Sequence, residues 1–382
     1  MDKSTTYKQL ITFRQDLHQH PEVSGEESET ANRVIKFLEP FSPDRIIDNI
    51  GGYGLAAEFK GDAAGPTVMF RCELDGLPIE EKNTIPYRSV HEGKAHLCGH
   101  DGHMAIVSGL AYHLSEQRPQ KGRVILLFQP SEETGKGADL LLNDPLFKEI
   151  EPDYIFAIHN LPGYPLHQVI LSSGHFAAAS SGMVIELTGK SSHAAEPEKG
   201  INPGFAMAQI IQGVNDLMKA RMNFKDLVLA TPIHMRLGRL AYGTSPGDGV
   251  VHLTLRSYLN DDMEKLKSEL SWLIKSIAER ERLKINHYYE EEFPATINDS
   301  EYASIIDSIA KQENLNSSFL SKPFKWSEDF GHFLAKYNGA LIGLGSGKDQ
   351  PALHNPDYDF PDSLIPTGIS LFKGIYEHIL NH

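Results

Sequence analysis

The sequence has little cysteine and no long hydrophobic run. Its 382 residues include only two cysteines, Cys72 and Cys98, which excludes a disulfide framework and is typical of a chain whose thiols stay reduced. The longest apolar stretches, such as 124–128 and 154–158, are far shorter than the roughly 20 residues that span a bilayer. The first 20 residues lack the apolar segment of a signal peptide. We therefore expect a cytoplasmic protein with no membrane partner.

Positive charge is also scarce. The chain has 36 Lys and Arg against 51 Asp and Glu, which gives a formal net charge of −15. Proteins that bind nucleic acid need concentrated Lys and Arg against the phosphates. The charge balance predicts no nucleic-acid partner, although a local basic pocket for a small carboxylate is still compatible with it.

Short apolar runs alternate with helical patterns over the first part of the chain. The predicted strands are 54–59, 67–71, 123–129 and 154–160, and the predicted helices are 4–19, 26–40, 101–117 and 136–143. Nearly unbroken apolar strands that alternate with helices are typical of an open α/β sheet.

The pattern changes near residue 180. Segments 182–190 and 250–259 alternate apolar and polar residues, and helical patterns cover 202–221 and 261–281, which predicts a small two-layer α+β unit. After about 290 the earlier pattern returns, with helices at 300–313, 327–336 and 363–381 and a strand at 340–345. We therefore predict a first domain formed by 1–178 and 289–382, with a second domain inserted at 179–288.

The stretch "AHLCGHDGH" (95–103) places three histidines, a cysteine and an aspartate in nine residues. In open α/β sheets, function collects at the carboxyl ends of strands, and several unusual polar residues fall there. Asp75, the pair Glu132 and Glu133, His159 and His354 each follow or close a predicted strand, and Cys98 and His100 precede a helix.

A thiolate, imidazoles and a carboxylate together suit a transition-metal ion or a pair of them, whereas calcium or magnesium would prefer oxygen ligands. Each residue alone has a more ordinary interpretation. A buried cysteine is usually a small hydrophobic residue, and adjacent glutamates usually face solvent. The metal hypothesis therefore depends on several strand ends delivering ligand types to the same edge.

Six segments, in order, resemble one branch of the aminoacylase and dinuclear-zinc carboxypeptidase superfamily. They are "LHQHPEVSGEE" (17–27), "RCELDGLPI" (71–79), "CGHDGH" (98–103), "FQPSEE" (128–133), "GKSSHAAEP" (189–197) and "LHNPDYDF" (353–360). The branch contains hippurate hydrolases, N-acyl-amino-acid deacetylases and indole-acetyl-amino-acid hydrolases. The resemblance implies an α/β, dinuclear-metal peptidase-like catalytic domain with a mixed central sheet, and an inserted two-layer α+β lid. The alternating strands of the lid would leave open sheet edges, which favour pairing, so we expect a homodimer through the lid.

The resemblance also assigns roles to residues. It makes Cys98, His100, Glu133, His159 and His354 the ligands of two divalent metal ions, with Mn²⁺, Zn²⁺, Ni²⁺ and Co²⁺ all chemically suitable. Glu132 becomes the general base and acid, and Asp75 orients a metal-binding histidine. His193, on the lid, would stabilise the oxyanion of the intermediate, from its own subunit or from a partner's. Independently of the resemblance, Arg256 lies on a predicted lid strand and is a candidate to pair with a substrate carboxylate, with a structural role as the open alternative.

The expected reaction is hydrolysis of the amide bond of an N-acyl amino acid by a metal-activated water. Two features depart from the branch: Gly243 stands where a substrate-holding asparagine is usual, and Glu73 stands where aspartate is more common. The tripeptide "SED" (327–329) matches a recurrent "GED", and we interpret it as a helix start without chemistry.

Three alternatives stay open. The first is a dipeptidase or carboxypeptidase on the same scaffold. The second is a binding protein that has kept the metal site but not the chemistry. The third is a cysteine hydrolase that uses Cys98 with a histidine, although it leaves the glutamate pair unexplained.

Overall fold

The computed structural model describes residues 3–220 and 223–381. Contacts within the chain divide it into two compact units. The first unit contains the described residues up to Phe176, together with Thr296–Lys322 and the residues from Asp329 onwards. The second unit contains the described residues of Ala177–Ala295 together with Pro323–Glu328.

Helices and strands alternate along most of the chain. The helices are α1 (Lys3–Gln19), α2 (Ser28–Leu38), α3 (His100–Glu116), α4 (Gly137–Asn143), α5 (Gly204–Lys219), α6 (Asn260–Arg280), α7 (Ser300–Gln312), α8 (Gly331–Leu334) and α9 (Leu364–Leu380). The strands are β1 (Arg45–Ile50), β2 (Gly54–Lys60), β3 (Ala63–Glu73), β4 (Lys121–Gln129), β5 (Tyr154–Pro162), β6 (Val169–Leu171), β7 (His175–Ala177), β8 (Ala179–Thr188), β9 (Ser192–His193), β10 (Val228–Leu237), β11 (Thr244–Ser245), β12 (Asp248–Ser257), β13 (Lys284–Phe293), β14 (Thr296–Ile297), β15 (Ser317–Phe319) and β16 (Asn338–Gly347).

The first unit is built on a mixed sheet with the strand order β1-β2-β4-β3-β5-β16-β6-β15. Its central strands β4, β3, β5 and β16 are parallel neighbours, whereas β1 and β2 add antiparallel pairs at one side. The middle of β4, Val124–Phe128, is completely buried, as expected for a strand that is covered on both faces. The predicted α/β class with a mixed central sheet is confirmed.

Helices α3 and α9 pack together closely because small residues lie between them. A Cβ at Gly109 of α3 would overlap the side chain of Ile369 on α9, and one at Gly368 of α9 would lie 2.6 Å from the side chain of Ile106. Helix α3 is buried along nearly its whole length. This tight packing fixes the start of α3, which carries His100.

The second unit is an antiparallel sheet with the order β10-β12-β8-β13 and the helices α5 and α6. Along β12, buried residues alternate with more exposed ones, so one face of the sheet packs on helices through residues such as Leu253 and Leu266. This unit extends beyond the predicted 179–288, because β13 continues to Phe293 and because 323–328 joins it.

Some elements differ from the sequence prediction. Strand β5 runs on to Pro162, so that His159 lies inside it rather than at its end. The predicted helix 327–336 is reduced to α8. Strands β1, β10 and β13 were not predicted, because their polar or exposed residues obscure the apolar pattern. Among the described residues, no helix has both the length and the apolar character needed to cross a bilayer.

Gly102, in the first turn of α3, provides a test of this packing. Its missing side chain leaves room for the ring of Phe360, which is 1% exposed and which a Cβ would overlap. We expect Gly102→Ala to lower the free energy of unfolding by about 1–3 kcal/mol, the usual effect of overpacking a core. Urea unfolding in the presence of a chelator measures it.

Gly174→Ala is the matched control, since its Cβ would have nothing within 4 Å. We expect it to change the stability by no more than about 0.5 kcal/mol. Equal stabilities of the two variants would contradict the proposed packing of α3 against Phe360.

Candidate metal centre

The candidate site lies at the edge of the first unit's sheet where its parallel strands end. Asp75 follows β3, Glu132 and Glu133 follow β4, and His354 comes seven residues after β16. His159 lies inside β5, near the same end. The turn that contains Cys98 leads directly into His100, the first residue of α3. Parallel strands bring their carboxyl ends to one edge, which explains why residues so distant in sequence meet there.

The five predicted ligands form one continuous cluster. Their donor atoms, together with those of the predicted base Glu132, form three groups, within each of which all atoms lie within 4.8 Å of one another. The groups are Cys98–His100–His159, Cys98–Glu133–His354 and His100–Glu132–Glu133. Cys98, His100 and Glu133 each belong to two of these groups, so the three are linked.

The distances within the cluster suit metal ligands. Sγ of Cys98 lies 3.6 Å from Nε2 of His159, and Oε1 of Glu133 lies 3.6 Å from Nε2 of His354. Ligand atoms about 2.0–2.3 Å from a shared ion are separated by roughly 3–4 Å. The spacing is therefore compatible with ions held between these side chains.

Hydrogen bonds fix the tautomers of His100 and His159, the two buried histidines among the predicted ligands. Nδ1 of His100 donates to the carbonyl of Asp75 (2.8 Å), and Nδ1 of His159 donates to the carbonyl of Asn160 (2.9 Å). In a neutral imidazole the lone pair then belongs to Nε2, which faces the cluster. Nε2 of His100 is buried without a hydrogen-bond partner among the described residues, and a metal ion would satisfy it.

The charges of the site favour a cation. Burial alone would lower the pKa of His100, but its interaction with the Asp75 carboxylate and the charge of Glu73 raise that pKa to about 10. Burial and the neighbouring His103 lower the pKa of His159 to about 3. The site thus attracts positive charge, while His159 stays neutral and can donate its lone pair. A mixed thiol, imidazole and carboxylate set with these properties fits divalent transition-metal ions.

Asp75 organises the surroundings of His100. It is completely buried, and its Oδ2 accepts hydrogen bonds from Oγ of Ser24 (2.7 Å) and from the backbone N–H of Glu133 (3.0 Å). Burial raises the pKa of Asp75, but these bonds and His100 outweigh it, so the pKa is lowered. Asp75 therefore stays ionised and joins the loop of Glu133 to the loop that orients His100.

Three loops of the site use left-handed backbone. The φ angle is 57° at Ser131, just before the glutamate pair, and 66° at His354. Gly99, between two of the predicted ligands, has a φ of 91°, and a Cβ there would lie 2.6 Å from Oδ1 of Asn160. Such conformations are costly for residues with a side chain and concentrate at functional sites.

A second row of polar residues lies behind the cluster. Nδ1 of His103 is 2.6 Å from Oε2 of Glu73, and its Nε2 is 2.5 Å from Oδ1 of Asn160. Nδ2 of Asn160 donates to Oη of Tyr358. The position of His103 one helical turn after His100 signals such a role in the sequence. Ser24 and Tyr358 lie within matched segments without an assigned role, and nothing in the sequence singles out Asn160.

His193 and Arg256 belong to the second unit and are described within it. His193 pairs with Thr244 in a short antiparallel ribbon, and its Nδ1 accepts the N–H of Ala195 (3.1 Å), so that Nε2 carries the proton. Nη1 of Arg256 already donates to the carbonyl of Lys325 (2.8 Å) and lies 3.1 Å from Oγ of Ser327. Their catalytic and substrate-binding roles stay predictions.

Comparison with known proteins agrees with the resemblance seen in the sequence. Peptidase family M20/M25/M40 matches residues 69–378. An N-acetyldiaminopimelate deacetylase from Bacillus pumilus is 30% identical over 97% of this chain and 98% of its own length. An N-acetyl-L-cysteine deacetylase from Bacillus subtilis is 31% identical over 95% of this chain and 86% of its own length.

Two further comparisons extend this picture. A hippurate hydrolase from Campylobacter jejuni is 28% identical over 94% of each chain. A dinuclear metal-binding peptidase of the M20 family from Bacillus subtilis has the same fold, with a TM-score of 0.84, 23% identity, and coverage of 100% of this chain and 99% of its own. The matched residues and the full-length relatives show that this chain belongs to peptidase family M20/M25/M40.

Proposed function

We propose that the protein is a metal-dependent amidohydrolase that cleaves N-acyl amino acids into a carboxylate and a free amino acid. The observation that carries this proposal is the group His100–Glu132–Glu133, because it puts a general base beside the candidate metal ligands. The relatives named as deacetylases and as a hippurate hydrolase support an acyl amino acid as substrate.

Cys98, His100, Glu133, His159 and His354 would hold two divalent ions. Five ligands exceed the four of a closed tetrahedral site, and their overlapping groups suit two ions better than one. When bound, the ions lower the pKa of a water molecule and polarise the acyl carbonyl. Mn²⁺, Zn²⁺, Ni²⁺ and Co²⁺ all accept such a ligand set.

Glu132 is the proton carrier in this proposal. The residue is buried, and its Oε2 lies 3.9 Å from Nε2 of His100. The carboxylate accepts a proton from the attacking water and passes it to the leaving nitrogen, so that the free amine departs. Glu133 is committed to the ligand cluster, which is why two adjacent glutamates have different roles. Asp75 orients His100.

The alternatives find less support. A dipeptidase or carboxypeptidase would use the same site, but the full-length relatives described above are named for acyl amino acids. The contact between Cys98 and His159 would suit a thiol nucleophile and its base, yet that reaction leaves the glutamate pair without a role.

We also propose that the second unit serves as lid and dimerisation surface. Strand β10 lies at the edge of its sheet, and its residues Ile233, Met235 and Leu237 are exposed. An open sheet edge with apolar side chains favours pairing with another chain. The expected partner is a second copy of this protein, and the expected location is the cytoplasm.

Glu132→Gln tests the proposed base. We expect kcat to fall about 10²- to 10⁴-fold, because the amide side chain cannot accept the proton, while bound metal stays unchanged. Acetyl-, benzoyl- and indole-acetyl-amino acids and plain dipeptides form the assay panel, after chelation and after reloading with each divalent ion.

Glu133→Gln is the matched comparison, since it replaces a carboxylate by an amide at the neighbouring position. We expect this variant to lose metal, as measured by mass spectrometry. Activity that survives chelation in the wild type would overturn the metal mechanism and favour Cys98 as nucleophile. If the protein cleaves dipeptides but none of the acyl amino acids, the result would favour the dipeptidase or carboxypeptidase hypothesis.

His193→Gln tests the oxyanion role. We expect kcat to fall about 10²- to 10³-fold, as when one oxyanion donor is removed. Sedimentation should give twice the mass of the chain. If His193 serves the partner's site, mixed dimers of His193→Gln and Glu132→Gln regain activity, because one of their two sites is intact; if it serves its own, they stay inactive. An unchanged kcat in the single variant would refute the role of His193.

A further inference from the structure

Asp329, the last residue of the tripeptide "SED", has contacts that a helix start does not require. Its carboxylate is completely buried. Oδ1 accepts a hydrogen bond from Nη2 of Arg71 (2.6 Å), and Oδ2 accepts from Nε2 of Gln129 (2.7 Å) and from the backbone N–H of Ala138 (2.9 Å). The side chain thus points into the first unit's interior rather than capping α8.

The two donors to Oδ2 lie at the two ends of one loop. Gln129 is the last residue of β4, and Ala138 lies in the first turn of α4. The intervening residues 130–137 contain Glu132 and Glu133. A single carboxylate oxygen of Asp329 therefore links the two ends of the loop that carries Glu132.

Asp329 also faces Glu132 itself. The backbone N–H of Asp329 donates to Oε1 of Glu132 at 3.4 Å. Because the side chain of Asp329 is fixed by three donors, the direction of its own N–H is fixed as well. The other donor, Arg71, lies on β3, four residues before Asp75, so the same carboxylate ties the loop of the base to the strand that leads to Asp75.

We propose that Asp329 is a positioning residue that holds Glu132 in register with the metal ligands. The inference deepens the proposed function and rests on it. A carboxylate is required because all three partners are donors, and an asparagine would set its own N–H₂ against one of them. Residues that orient catalytic groups in this way commonly affect activity about 10- to 100-fold.

A purely structural role makes a different prediction. If Asp329 only neutralised the buried guanidinium of Arg71, its loss would lower stability without changing turnover by the folded protein. A positioning role lowers kcat in protein that is folded and metal-loaded, and leaves KM nearly unchanged. Measuring kcat and KM separately for the folded, metal-loaded protein distinguishes these two roles.

The experiment compares Asp329→Asn, Gln129→Met and Asp144→Asn in the full chain, with kcat, KM, bound metal and urea unfolding measured for each. We expect Asp329→Asn to bind metal like the wild type, to lose kcat about 10- to 100-fold, and to keep KM within about threefold. Gln129→Met removes one donor to Asp329 and the acceptor of the Nε–H of Arg71, but it leaves the pair of Arg71 and Asp329, so a loss of several-fold in kcat is expected. If Asp329→Asn does not fold, the kcat of Gln129→Met decides between a positioning and a purely structural role.

Asp144 supplies the matched control. Its carboxylate accepts the backbone N–H groups of Gly51 (2.7 Å) and Leu146 (2.8 Å) just after the other end of α4, so Asp144→Asn should reduce stability but not kcat. Unchanged kcat in Asp329→Asn or, if that variant does not fold, in Gln129→Met would overturn the proposal, as would an equal loss in Asp144→Asn. An inactive wild type, or a fully active Glu132→Gln, would instead refute the proposed function.

Discussion

The burial of several carboxylates at one edge of a sheet is the constraint on which this structure depends. Glu73, Asp75, Glu132 and Asp329 are each no more than 5% exposed, and a buried charge is costly unless it is paired or hydrogen-bonded. Arg71 pairs with Glu73 and Asp329. The remaining negative charge faces imidazoles and a thiol, an environment that binds divalent cations, so metal binding should also stabilise the fold.

The geometry of the fold explains why these groups can meet. Four parallel strands bring their carboxyl ends together, and short loops at that edge carry most of the candidate ligands. Left-handed backbone at Ser131, Gly99 and His354 turns each loop sharply. Close packing of α3 against α9, with glycines where side chains would overlap, holds His100 at the start of a rigid element. The sheet and helix α3 therefore together fix the positions of the residues in the site.

Much of this arrangement could be predicted from the sequence, because thiol, imidazole and carboxylate side chains follow or precede recognisable strands and helices. The roles of Asp329, Asn160 and Ser24 could not be predicted from the sequence. They depend on contacts between distant segments, such as the bond between Gln129 and Asp329 across 200 residues, and no local pattern encodes such contacts. His159 was placed at a strand end because the apolar run stops there, but pairing with β16 extends β5 beyond it.

The central claim is that two divalent ions occupy the cluster of Cys98, His100, Glu133, His159 and His354. Anomalous diffraction at the absorption edge of the loaded metal tests it most directly. The account predicts two peaks, each within bonding distance of donor atoms from these five side chains and of no others in the chain. A single peak, a peak between Glu73 and His103, or no peak in crystals grown from metal-reloaded protein would contradict it.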